Sequence, residues 1–209
     1  MNSRNLMYMA VVTILFWLFA HGLYELSANY SARVIMVCVL NDKESPANEA
    51  VINKAFSNVS REYERNAGII FKADTFAEFE GKTYIWPIKV RRDAKPRCHE
   101  SNKLQMIFTN SILTFFDTDG REAEFGGYSG REGDGTLILY NVGERSGEYD
   151  LGGHSLLETI LKHEIGHLFG LEHTSDSNSF MHSPSNRSLG RWTTEVVNLL
   201  KVQRSRDWE

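Results

Sequence analysis

The chain has no excess of positive charge. Its 23 lysines and arginines stand against 27 aspartates and glutamates, a net charge of −4. It offers no basic stripe for a phosphate backbone, and a nucleic-acid partner is not expected. It also lacks internal repeats and low-complexity tracts. What remains is an ordinary globular composition, 42% hydrophobic and 24% charged, with enough apolar side chain for a core. Cysteine is scarce: Cys38 and Cys98 are the two in the chain. An even count permits one disulfide in an exported domain. Cys38 lies in the apolar stretch "RVIMVCVL", where a lone cysteine also serves as a small buried hydrophobe. Both readings stand. Histidine is uncommon too, seven in 209 residues, yet three fall within the eleven residues from His163 to His173.

The length fits one domain and an appendage, since a compact domain takes about 100–200 residues. The appendage comes first. Leu6 to Ala20 carries no charge, and only His21 and Glu25 interrupt the run to Leu26. Arg4 and the terminal amine precede it. A short positive flank before an apolar run is the pattern of a signal peptide or a signal-anchor transmembrane segment. Residues 1–26 are read so, and residues 27–209 as one globular domain. Either form puts the domain outside the cytoplasm, secreted or held at the membrane, because the positive end stays inside.

Within the domain, Arg33 to Leu40 is short and rich in β-branched residues, as a central strand requires. Ser45 and Pro46 read as the cap and first residue of a helix. Its apolar face then recurs from Ala47 through Val51, Ala55, Val59 and Tyr63 to about Asn66, with Gly68 as the stop. "GIIFKA" (Gly68 to Ala73) gives a second strand, and this strand-helix-strand start favours a largely parallel sheet. "KTYIWPIKV" contains a candidate strand with Pro87 at an edge or a bulge, and the basic run from Lys89 to Arg97 reads as a solvated loop. Strands follow at Lys103 to Thr109 and Thr136 to Asn141. The glycine-rich stretch between them predicts an exposed sheet edge around Ala123 to Tyr128. A last helix is placed near Thr193 to Val202.

The histidine-rich segment is "SLLETILKHEIGHLFGLEH". Ser155 and Glu158 fit a capping box at its start. Leu156, Leu157, Ile160, Leu161, Ile165 and Leu168 make one broad apolar side, with Thr159, Lys162 and Gly166 facing solvent opposite it. His163 and His167, four apart, share a helix face. Two neutral imidazoles so placed reach one zinc ion at about 2.0–2.1 Å. Gly170 ends the helix and turns the chain, which lets His173 return as a third ligand. Three protein ligands leave one position open, the mark of a catalytic zinc. Glu164 points beside the metal and is placed to accept a proton from its water.

HExxHxxGxxH at His163 to His173, with Met181 eight residues further on in "NSFMHSP", resembles the metzincin zinc metalloendopeptidases. Within that clan "LLETILKHEIGHLFGLEHT" looks most like the matrixins, with Thr174 where they usually have serine. The resemblance implies an α+β fold: a twisted, mostly parallel sheet with an antiparallel edge strand, two long helices and a C-terminal helix. It implies that Met181 forms the buried Met-turn under the metal, a place a gap-filling core methionine also suits. It further implies that His182 to Asn186 wall the specificity pocket. Some features depart. Ser183 stands where matrixins have proline and astacin-like members a metal-binding tyrosine, so that extra ligand is not expected. His99, His154 and His182 do not reproduce the matrixin structural-zinc set, and one zinc is expected. "DTDG" at Asp117 to Gly120 is where relatives often hold calcium, but it reads as a solvent turn, and calcium is not expected. Cys98 in "KPRCHES" resembles the matrixin propeptide cysteine, yet its place after the second strand suits a loop cysteine.

The reading is a zinc-dependent endopeptidase. Zinc sits on His163, His167 and His173, Glu164 is the general base, and the substrate is an extended polypeptide paired with the sheet edge. The alternative is a membrane-anchored zinc-containing binding domain with little or no catalysis.

Overall fold

The computed structural model describes residues 17, 32–43, 45–79, 98, 104–110, 112, 114–116, 122–124, 126–129, 135–183 and 188–203. The chain divides into two compact units, 1–32 and 33–209. The apolar N-terminal run, Trp17 apart, lies outside the described residues. So do "KTYIWPIKV", the basic run to Arg97, the "DTDG" turn and positions 184–186 of the expected pocket wall. Among the described residues no helix is long and apolar enough to cross a membrane.

The second unit is built on a five-stranded sheet. Its strands are β1 (Arg33–Asp42), β2 (Ile69–Phe79), β3 (Leu104–Phe108), β6 (Gly127–Ser129) and β7 (Thr136–Leu139), in the order β2-β1-β3-β7-β6. The first four in that order pair parallel, and β6 pairs antiparallel to β7 as the terminal strand. A separate two-stranded antiparallel sheet joins β4 (Thr114–Phe116) to β5 (Glu122–Glu124). Among the described residues there are four helices of this unit: α1 (Glu49–Ala67), α2 (Val142–Arg145), α3 (Leu156–Leu168) and α4 (Thr194–Gln203). This is the α+β, mostly parallel arrangement with an antiparallel edge that the sequence implied. The edge itself is narrower than expected: Gly127–Ser129 belongs to the main sheet, whereas Glu122–Glu124 turns away to pair with β4.

Side-chain alternation divides the strands cleanly. Ile35, Val37, Val39, Leu104, Met106, Phe108, Leu137 and Leu139 join α1 and α3 in one large core. Cys38, Leu40, Ile107, Ile138 and Tyr140 point to the other face and form a second cluster. Apolar side chains on both faces explain why these strands read as continuous hydrophobic runs. Cys38 and Cys98 are joined by a disulfide, which decides between the two readings of Cys38. It also ties Cys98 into the second cluster, away from any role as a latency thiol.

Helix α1 starts at Glu49, three residues after the expected Pro46 start. The Asn41 side chain brackets Ala47, donating to its carbonyl and accepting from its amide at 2.9 and 3.0 Å. Asn110 meanwhile holds the carbonyls of Ser45 and Pro46. With those residues pinned, Asn48 becomes the cap and accepts from the Ala50 amide. Gly68 ends the helix in the left-handed conformation at φ 68°, as expected.

Candidate metal centre

Helix α3 is buried on nearly every side. Besides its apolar residues, Thr159, Lys162 and Gly166 are buried, against the expectation that they face solvent. The reason is the chain on either side of the helix: Asp150 before it and the segment around Met181 and Gly190 after it cover that face. Thr159 Oγ1 donates to Asp150 at 2.7 Å. Lys162 Nζ donates to the Gly190 carbonyl at 2.7 Å and pairs with Glu62 at 2.9 Å. A side chain at Gly166 would collide with Met181 Sδ and crowd Phe180. The capping box is also replaced. Ser155 is the cap residue but its side chain makes no cap bond, and Glu158 instead accepts from Asn58 at 2.8 Å. Asp150 does the ordering here, accepting from the amides of Gly152 and His154, each at 2.8 Å.

The end of α3 follows the sequence. Gly170 takes φ 79°, and the Leu171 amide donates back to the Gly166 carbonyl at 3.1 Å. That turn brings His173 round to the helix. His163 Nε2 lies 3.0 Å from His167 Nε2 and 3.2 Å from His173 Nε2, and the last two are 3.1 Å apart. The three residues picked from the spacing therefore meet at one point.

Two of the rings are oriented from behind by carbonyls that sequence reading did not single out. His163 Nδ1 is 2.8 Å from the Phe180 carbonyl, and His167 Nδ1 is 2.7 Å from the Leu171 carbonyl. A carbonyl only accepts, so each Nδ1 carries the proton and each Nε2 presents a lone pair. Such nitrogens cannot satisfy one another. Burial, followed by the neighbouring His167, pushes His163 down to about 3, so a proton does not fill the gap at neutral pH. A zinc ion fits this donor set: tetrahedral ligands at about 2.0–2.1 Å from one ion stand about 3.3 Å apart, close to the distances here.

Glu164 is buried beside the cluster, and burial raises it to about 7, a shift that the Ser129 hydroxyl partly offsets by hydrogen bonding. A carboxyl poised there suits acid–base work at neutral pH. Met181 is fully buried under Gly166. Its carbonyl accepts from the Thr174 amide at 3.0 Å, tying the turn around Met181 to the His173 segment.

Residues 92–193 match the family model described as Matrixin. An archaemetzincin from Methanopyrus kandleri superposes with a TM-score of 0.58 at 17% identity, covering 84% of this chain and 97% of that one. The fold is of metzincin type. A second solved structure, metalloproteinase-II from Bacteroides fragilis, shares that metzincin-type core with a TM-score of 0.58 at 12% identity. The alignment covers 83% of this chain and 54% of that one. No curated protein matches. With the Matrixin match and the three-histidine cluster, the metzincin-type fold supports a zinc metallopeptidase-type function.

Proposed function

We propose that the chain is a matrixin-like endopeptidase that hydrolyses peptide bonds of extended polypeptides, with one zinc on His163, His167 and His173. The convergence of the three Nε2 atoms within 3.2 Å carries this reading. Bound zinc supplies Lewis acidity and lowers the pKa of water from about 15.7 towards about 7. The protein's part is to hold the rings by the carbonyls of Phe180 and Leu171, and to keep a proton acceptor, Glu164, beside them. Glu164 takes a proton from water and passes it to the leaving amine. The substrate lies along β6, the terminal strand of the sheet, so that backbone pairing supplies affinity. The matrixin-like subclass rests on the family match and on the stretch from Leu156 to Thr174.

The domain acts outside the cytoplasm, held by or released from the N-terminal apolar segment. The Cys38–Cys98 bridge supports that compartment, since disulfides persist where conditions oxidise. Fractionation of cells expressing the full chain tests the location, and a purely cytosolic, reduced protein would count against it. For the chemistry, Glu164→Gln is expected to retain zinc by elemental analysis and lose activity on a denatured protein by about 100-fold or more. Undiminished cleavage by that variant would remove Glu164 from the reaction.

A further inference from the structure

Gly126, just before β6, and Gly127 and Ser129 within it lie close to α3. A Cβ on Gly126 would stand 2.7 Å from Ile160 Cδ1, and one on Gly127 would stand 2.6 Å from Glu164 Cγ and 2.9 Å from its Oε1. Two consecutive glycines thus let the helix settle directly on the strand, and the Glu164 side chain lies over Gly127. Residues two apart on a strand share a face, which puts Ser129 on the same side as Gly127. Its hydroxyl hydrogen-bonds the Glu164 carboxylate. β6 is also the end of the sheet, paired with β7 through Gly127 to Leu139 and Ser129 to Leu137.

We propose that Ser129 is a positioning residue for hydrolysis: with Gly127 giving the side chain room, its hydroxyl fixes the Glu164 carboxylate against the edge strand. This rests on the hydrolase reading above. A carboxylate left to rotate spends less time aimed at the reacting water, so turnover falls while substrate binding and zinc binding do not. The same strand that receives the substrate then also sets the base. Ground-state affinity and proton transfer share one structural element.

The test uses the zinc-loaded full chain and a quenched-fluorescent peptide that it cuts, comparing wild type with Ser129→Ala and Ser129→Thr. Ser129→Ala should keep the wild-type zinc content and a KM within about two-fold, while kcat falls about 10-fold and Ser129→Thr restores most of it. In crystals of zinc-loaded Ser129→Ala, the Glu164 carboxylate should leave its place over Gly127. Wild-type kcat or an unmoved carboxylate overturns the inference, and so does a loss explained wholly by missing zinc or a raised KM. If Ser129→Ala does not fold, Gly127→Ala serves: its methyl group displaces Glu164 and should give the same kcat-limited loss, with wild-type kcat overturning the inference equally. A wild-type chain that holds zinc yet cuts no peptide removes the hydrolase reading itself, and the role of Ser129 with it.

Discussion

Gly166 sits between the two clustered histidines of α3, His163 and His167, where only a hydrogen atom fits. Met181 Sδ and the Phe180 ring occupy the space a side chain would need. Gly166→Ala is therefore expected to destabilise the domain by about 1–3 kcal/mol, the usual range for overpacking a filled core. Denaturant unfolding of the zinc-loaded chain checks it, and an unchanged midpoint would show that Met181 yields freely. The histidines themselves were readable from spacing because a helix fixes the relation of residues four apart. The roles of Gly166 and Ser129 were not. Their partners lie 15 residues downstream and 35 residues downstream respectively, and no local pattern encodes a contact that only the tertiary fold creates.

Among the elements, α3 departs most from its sequence pattern. A 100° periodicity assigns Lys162 to solvent, yet it is buried under the segment that returns across the helix. Its ammonium meets Glu62 of α1 and the Gly190 carbonyl, while Trp192 Nε1 also donates to Glu62, at 2.6 Å. Burial tends to raise the Glu62 carboxyl. The Lys162 charge and the hydrogen bonds from Trp192 and Lys162 outweigh it and leave the pKa below the usual 4.5. The lowered native pKa sets the sign: this contribution is fully present above about pH 4.5 and is lost as pH falls through the native value. Glu62→Gln should cost roughly 2 kcal/mol near neutral pH, less than for a fully buried pair because the Glu62 side chain is 28% exposed. Its stability should also fall less steeply below pH 4.5 than that of wild type. Parallel acid-unfolding curves for the two proteins would contradict this. Helix α1 was legible almost to its end because Gly68 is a local signal. Its start was not, since Asn41 and Asn110 reach it from elsewhere in the chain.

At the scale of the whole domain, the sheet and the disulfide divide the work. The large core between sheet and helices carries the three-histidine cluster, and the Cys38–Cys98 bridge, packed at the second cluster on the other face, closes a loop of 60 residues. Loop-closure entropy for that length corresponds to about 4 kcal/mol. The Cys38→Ala, Cys98→Ser double variant should therefore unfold at markedly lower denaturant while binding zinc when folded. Equal midpoints for reduced and oxidised protein would argue against that stabilisation. The mostly parallel sheet was readable from the strand-helix-strand start and an exposed edge from glycine density, whereas the antiparallel pairing of that edge came only with the metzincin resemblance. The exact edge was not, because Glu122–Glu124 pairs with β4 instead of β7. Chain order adds one more consequence. The Phe180 carbonyl that aims His163, the Gly190 carbonyl that receives Lys162 and the Trp192 indole all lie downstream of the helix they secure. A growing polypeptide that has emerged only as far as His173 holds all three clustered histidines but none of these braces. On the proposed function, cleavage should therefore begin only once residues up to about 192 have left the ribosome, and a product truncated at His173 should be idle.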